Sequence, residues 1–370
     1  MAAQVTQKTV PPAAPGMALH SFHPGWFGAV MGTAIVGVAA FMNPGSIPAL
    51  RAPLSVLGIA WVALAWVVAV IIGVPYFLRW VRHPDAATKD LRHPVMGSMY
   101  ATFPAAVVVL ATATAAVAPA VLPPGTVFWI VAVLAVAGSI LAFAASVALA
   151  YFLFVTPNVG VEAANGGWFI APVTNIIVPM VLVPLVPGVS PETGRFLLLM
   201  SYAYWGMGFF LFLMVASLLY DRLVYHPLPA APLAPSLWIV LGGIGVGGIA
   251  LVRMAQGGGQ IWGDASALVG QLSAVGAAVL WGFGLWWLAA AILLLGRYLV
   301  RGGLPYGIGW WAFTFPVGAY TVDTLTLGRV FSVGAIEWLG VLLFLLLAVF
   351  WLVVTVRTLI GMRTGEAWRR

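Results

Sequence analysis

The sequence predicts an all-α integral membrane protein, and three observations carry that prediction. Apolar residues make up 63% of the 370 residues and charged ones only 7%, with a mean hydropathy of +1.07. A water-soluble domain of that composition would aggregate, so most of the surface must face lipid. Apolar runs of about twenty residues, long enough to cross a hydrocarbon core of about 30 Å, recur from end to end with short polar breaks. Stretches such as Leu339 to Val354 are apolar on every face, as a lipid-bathed helix requires and the strict alternation of a membrane β-strand excludes.

Ten runs follow in order. The first, Gly25 to Met42, holds one buried hydroxyl, Thr33. The second, Leu54 to Leu78, is nearly bare, with Pro75 close to its end. The third, Val95 to Ala118, carries Thr102, Thr112 and Thr114 and a proline, Pro104. The fourth, Thr126 to Phe154, is again nearly bare. The fifth, Trp168 to Val186, combines Pro172 and Pro179 with Thr174 and Asn175. The sixth, Phe196 to Tyr220, has no proline. The seventh, Ser236 to Met254, has none either but carries Gly242, Gly243, Gly245, Gly247 and Gly248. The eighth, Leu268 to Leu295, lacks proline. The ninth, Gly307 to Leu327, holds Thr314, Pro316, Thr321 and Thr324. The tenth, Ile336 to Leu359, lacks proline and closes the series.

Odd and even runs therefore differ in kind. A proline inside a membrane helix frees backbone carbonyls and bends the axis, which is tolerable only where protein or water satisfies those groups. Glycines thin a helix and let a neighbour approach. The odd helices are thus expected inside, around a path. Thr102-Phe103-Pro104 recurs as Thr314-Phe315-Pro316, 212 residues later, close to three periods of about 70 residues. With Pro172 and Gly245 near the intermediate positions, the pattern reads as five helical hairpins in quasi-fivefold arrangement, an odd helix leading each. The expected pore lining is Thr33, Thr102, Phe103, Pro104, Pro172, Thr174, Asn175, Gly245, Thr314 and Pro316.

Basic residues set the orientation. Twelve of the sixteen lysines and arginines fall on the side of the N-terminal tail and only Arg51, Arg195, Arg253 and Arg329 on the other. By the positive-inside rule both termini are cytoplasmic, in the cell membrane. The net charge of +7 is explained by the same rule, and no soluble basic face with interleaved aromatics suggests nucleic acid. Residues 1–24 are expected to form a disordered cytoplasmic tail and not a signal peptide, 25–360 the membrane domain, and 361–370 a cytoplasmic C-terminal tail. The chain has no cysteine, and no His/Asp/Glu cluster has metal-ligand spacing, so no metal, no cofactor and no enzyme activity is expected.

Four ordered motifs carry a family resemblance. Phe22-His23-Pro24-Gly25-Trp26-Phe27 runs into Val30-Met31-Gly32-Thr33; Arg92-His93-Pro94 precedes Phe103-Pro104. Pro227-Leu228-Pro229 leads to Pro235-Ser236-Leu237-Trp238-Ile239, and Trp310-Trp311-Ala312-Phe313-Thr314-Phe315-Pro316 opens the ninth run. Together they resemble the tellurite-resistance/dicarboxylate transporter family, which includes bacterial tellurite-resistance channels, plant slow anion channels, fungal malate permeases and fungal sulfite pumps. The resemblance implies odd helices lining a central pore, a homotrimer with one pore per subunit, and a ninth-helix phenylalanine that plugs the path. By motif that residue is Phe315, with Phe313 as the alternative. The family's seventh helix often carries Gly-Pro where Gly242-Gly243 stands here, which puts a kink at that point in question.

Phe315 also admits a plain reading as core packing. As a gate, its ring would close a narrow apolar neck until it turned to another rotamer. Apart from Glu337 at the very start of the tenth run, Asp323 is the one carboxylate placed within a membrane run, where an unpaired charge costs roughly 2.5 kcal/mol or more; it is a candidate for gating or proton coupling, or else a solvated or paired group near the mouth. Arg253 and Arg329 would raise local anion concentration at the outer ends, or anchor headgroups. His23 and its counterparts His83 and His93, each before a proline, either cap loops or sense pH. Trp80, Trp168, Trp262 and Trp338 read as an interfacial belt. The function expected is a conduit for small inorganic or carboxylate anions, the rivals being a proton-coupled carrier of malate-like dicarboxylates or sulfite, and a scaffold that moves nothing.

Overall fold

The computed structural model describes residues 19–368. Most of the expected N-terminal tail lies outside them, as do the last two residues of the C-terminal one. Of the remainder, Phe22 is buried and Trp368 packs its ring 5.3 Å from that of Trp26, so both ends of the described chain lie against the membrane domain.

Ten long helices make up the described residues: α1 (Phe27–Phe41), α2 (Pro48–Arg82), α3 (Thr102–Val117), α4 (Pro124–Val155), α5 (Ile170–Ile177, resumed as Pro179–Leu182), α6 (Pro191–Tyr225), α7 (Ile239–Gly257), α8 (Ser266–Val300), α9 (Thr314–Val330) and α10 (Gly334–Thr364). Short helical turns and one eight-residue helix, Pro84–Leu91, join them, and the described residues contain no strand. Nine segments among the described residues are long and apolar enough to cross a membrane. α9, with 17 residues, is not one of these, so the all-α membrane class holds while the count of ten crossings is not established by length.

Odd and even helices separate by burial. In the segments containing α1, α3, α5 and α7, 67% to 94% of the most apolar stretch is buried; in those containing α2, α4, α6, α8 and α10 the figure is 17% to 33%. In α9 nearly every side chain is buried. Packing explains the difference. Each odd helix pairs with the even helix that follows it, giving five hairpins, and the odd helices contact one another in the closed order α1, α3, α5, α7, α9, α1. Each even helix also touches the next odd one: α2 on α3, α4 on α5, α6 on α7, α8 on α9, and α10 on α1. The even helices thus form an outer layer seated over the joints of the inner ring. Glycine permits a close crossing between α1 and α2, where a Cβ on Gly37 or on Gly58 would lie 2.8 Å from the other's carbonyl oxygen.

Every inner helix is entered through a tight turn: Pro24–Trp26, Met96–Met99, Gly166–Phe169, Ala231–Trp238 and Ile308–Phe313. Pro104, Pro172 and Pro316 are each the third residue of their helix. They therefore do not kink a helix at mid-span, as their place in the apolar runs suggests. They sit in the first turn, where the backbone N–H has no intrahelical acceptor and its loss costs nothing. Pro179 does interrupt α5, which restarts there. α7, with glycines and no proline, is continuous.

Candidate functional site

The ring of odd helices encloses the candidate path, and its polar residues show which way each helix faces. The indole Nε1 of Trp351 on α10 donates to Thr33 Oγ1 on α1 at 3.1 Å. Trp66 on α2 donates to Thr114 Oγ1 on α3 at 3.1 Å, and Trp281 on α8 to Thr324 Oγ1 on α9 at 3.0 Å. Trp205 on α6 donates to the Gly247 carbonyl on α7 at 3.1 Å, and the Asn175 amide on α5 donates to Ser146 Oγ on α4. All five joints between an even helix and the next odd helix thus carry one such clasp.

These bonds redirect part of the expected pore lining. Thr33 and Asn175 point at the outer layer, not at the axis, because a buried indole or amide in lipid needs a protein partner and finds it there. Phe103 also lies outward, its ring 5.2 Å from Tyr76 and 5.3 Å from Phe77, both on α2. The other hydroxyls donate to main-chain carbonyls: Thr102 shares its one hydrogen between the Met99 and Pro24 carbonyls, Thr174 donates to Ile170, and Thr314 to Trp311. Thr102, Thr174 and Thr314 are therefore not free hydroxyl donors for an anion.

Helical geometry, at about 100° per residue, identifies the opposite face. On α9, Tyr320 and Thr324 meet α8 and Leu325 meets Gly340 of α10, which leaves Phe315, Ala319 and Val322 turned towards the ring's interior. The same construction puts Met31 and Val38 there from α1, with Ile35 beside them packed on Gly318 of α9, Ala105, Val109 and Ala113 from α3, Ile170, Thr174 and Ile177 from α5, and Gly242, Val246 and Ile249 from α7. Except for Thr174 these residues are apolar, and composition alone could not single them out from the rest of the apolar runs. Their signal was positional: each stands about 100° or more around its helix from the clasped residue.

Phe315 is buried, 3.6 Å from where a Cβ on Gly242 would stand. Pro316 Cα and the main chain of Ala319 and Tyr320 approach Gly242 and Gly245 on the same side. Phe313 lies elsewhere, between the rings of Trp238, Trp310 and Phe350. Of the charged candidates, Asp323 is fully buried against Gly248 and neither carboxyl oxygen has a hydrogen-bond partner. Arg253, on the inward-turned face of α7 beyond Ile249, is exposed and bonds Gln256 at 3.4 Å. Arg329 is held to Glu337 and to the carbonyls of Met42 and Asn43, which makes it a strut between α9, α10 and the α1–α2 connection. His23 accepts from the Gly25 N–H through Nδ1, capping the turn into α1. No group of three or more metal-ligating side chains gathers among the described residues.

The family model described as "SLAC1: Voltage-dependent anion channel" matches residues 21–359, nearly the whole chain. The chain belongs to the SLAC1 family. An uncharacterized transporter of Methanocaldococcus jannaschii is 32% identical to it, over 95% of this chain and 96% of the relative. The sulfite efflux pump SSU1 of Trichophyton rubrum is 26% identical over 95% of this chain and 94% of its own. The malic acid transport protein of Schizosaccharomyces pombe is 22% identical over 52% of this chain and 45% of its own. The resemblance carried by the four motifs is thereby shown, and with it the coarse function: this SLAC1-family chain is a membrane protein of an anion channel or transporter family, whose named relatives are transporters and not enzymes.

Proposed function

We propose that the chain conducts small inorganic or carboxylate anions along the axis of its five inner helices, past an apolar neck closed by the ring of Phe315. What supports this reading is the closed ring of odd helices with its polar side chains clasped to the outer layer, together with helical geometry, which sets Phe315 on the face of α9 away from its clasp. An apolar neck excludes hydrated ions when narrow and dry, and admits them once a plug leaves and water enters. Arg253, exposed and on the inward-turned face, supplies attraction for anions without a site so deep that it would trap them. In this reading α9 crosses the bilayer as the ninth of ten helices, the basic ends of the even helices face the cytoplasm of the cell membrane, and three copies assemble with one path each.

The test is flux in proteoliposomes loaded with a panel of anions. Phe315→Ala is expected to raise flux by about tenfold or more, as would follow from lowering the barrier by about 1.4 kcal/mol. A variant with unaltered flux beside a conducting parent removes the gate. A second reading, a proton-coupled carrier of C4-dicarboxylates or an exporter of sulfite, is favoured by the unpartnered carboxyl of Asp323 and by the names of the fungal relatives. Flux that saturates and stops without a proton gradient would select it.

A further inference from the structure

Asp323 is the only carboxylate on the five inner helices. It is fully buried, and both its oxygens lack a hydrogen-bond partner. It lies against a glycine: a Cβ on Gly248 would stand 2.5 Å from Oδ1 and 2.9 Å from Oδ2, so the carboxyl fills the hollow that the glycine leaves. Gly248 ends a stripe on α7 whose other members are Gly242, against Phe315 and Pro316, and Gly245, against the main chain of Ala319 and Tyr320. One continuous glycine face therefore carries α9 from the Phe315 ring to the Asp323 carboxyl.

The helices packed on α9 offer Asp323 no partner. α1 has no titratable side chain, and α7 has only Arg253, engaged with Gln256. α8 has Arg297 and Tyr298, the latter bonded to the Pro229 carbonyl near the helix end. α10 has Glu337, tied to Arg329, with Arg357 and Arg363 near its C-terminal end. On α9 itself Tyr320 donates to the Trp281 carbonyl, and Arg329 is the partner of Glu337.

We propose that Asp323 is a proton-binding site that sets the fit of α9 on α7 and, through it, the seating of the Phe315 ring. The proposal rests on the anion-conduit reading and names its regulator. With a proton bound, the carboxyl is neutral and lies against Gly248, the arrangement described here, with the neck closed. Loss of the proton to water leaves a carboxylate for which this hollow has no donor. It must move towards water, which lifts α9 off the glycine face and unseats Phe315. The step breaks one O–H bond and hands the proton to water, and needs no other reactant.

The test is chloride flux from proteoliposomes at equal pH on both sides, over a series of pH values. The parent is expected to conduct more as pH rises, by roughly tenfold per unit along the titrating limb, the slope of a single group. Asp323→Asn, which keeps the neutral shape, is expected to give low flux without pH dependence. Phe315→Ala in the same background is expected to restore flux that remains indifferent to pH, which also shows that the Asn variant folds. The infrared band of a protonated carboxyl, lost from the parent at high pH and absent from Asp323→Asn, reads the site without flux. An Asn variant that keeps the parent's pH profile, or a parent with none, overturns the proposal while leaving the conduit standing. No flux in the parent or in Phe315→Ala overturns the conduit instead.

Discussion

A threonine in an apolar helix says that something polar must meet it, but not from which side. Thr33, Thr114 and Thr324 look alike in the sequence as donors for a passing anion, and each proves to be the acceptor of a tryptophan from the outer layer. The tryptophans that matter here, Trp66, Trp281 and Trp351, stand inside apolar runs and are indistinguishable there from lipid-facing aromatics until their partners are known. Such a bond in a bilayer contributes modestly, about 0.6 kcal/mol on average by double-mutant cycles. A cycle between Trp281→Phe and Thr324→Val is expected to return a coupling of that order in unfolding from mixed micelles, with anion selectivity unchanged. A coupling indistinguishable from zero would reduce the clasp to coincidence of packing. Asp323 was legible by type alone, because a lone carboxylate in a membrane run is conspicuous; Phe315 needed the family motif to be told from Phe313.

At the scale of the helix, the division into bent, polar odd segments and greasy even ones was plain in the sequence, since burial follows directly from which helices must satisfy freed backbone groups. The position of the bends was not, because an apolar run does not show where a tight turn gives way to α-helix; Pro104, Pro172 and Pro316 therefore read as mid-span breaks although they open their helices. The seventh helix illustrates what glycine does in place of proline. Gly245 brings the α9 main chain so near that an added Cβ would lie 2.6 Å from the Ala319 carbonyl carbon, whereas Gly282 on α8 has no neighbouring atom within 4 Å of such a group. Gly245→Ala is accordingly expected to destabilise by about 1 to 3 kcal/mol through overpacking, and Gly282→Ala to be neutral or to stabilise by up to about 1 kcal/mol from helix propensity. Thermal unfolding of the two variants in detergent checks the contrast, and equal shifts would show that α7 and α9 part without strain.

For the whole molecule, five hairpins and an inner ring follow from one pattern repeated, which is why a single echoed motif, Thr-Phe-Pro, could point to the architecture. Charge is distributed to match: basic side chains gather at one end, where Arg79 pairs with Asp90 at 2.5 Å and donates to the His20 carbonyl, and Arg222 donates to the carbonyls of Glu162 and Ala164. Arg253 stands at the other end and is exposed, and in the proposed function it attracts anions. Arg253→Gln is expected to slow anion entry several-fold at low ionic strength and hardly at all near 1 M salt, where charges more than about 3 Å apart are screened; a salt-independent deficit would assign the residue to folding instead. The bond from Trp351 to Thr33 spans 318 residues, and it bears on how the molecule is made. The first helix leaves the ribosome long before the helix that completes its surroundings exists, so Thr33 waits for a partner from the end of the chain. Until then the emerging hairpins form an arc with one open side. A nascent chain that stops short leaves the inner helices open to lipid on one side, and the last hairpin to be inserted is the one that closes the ring.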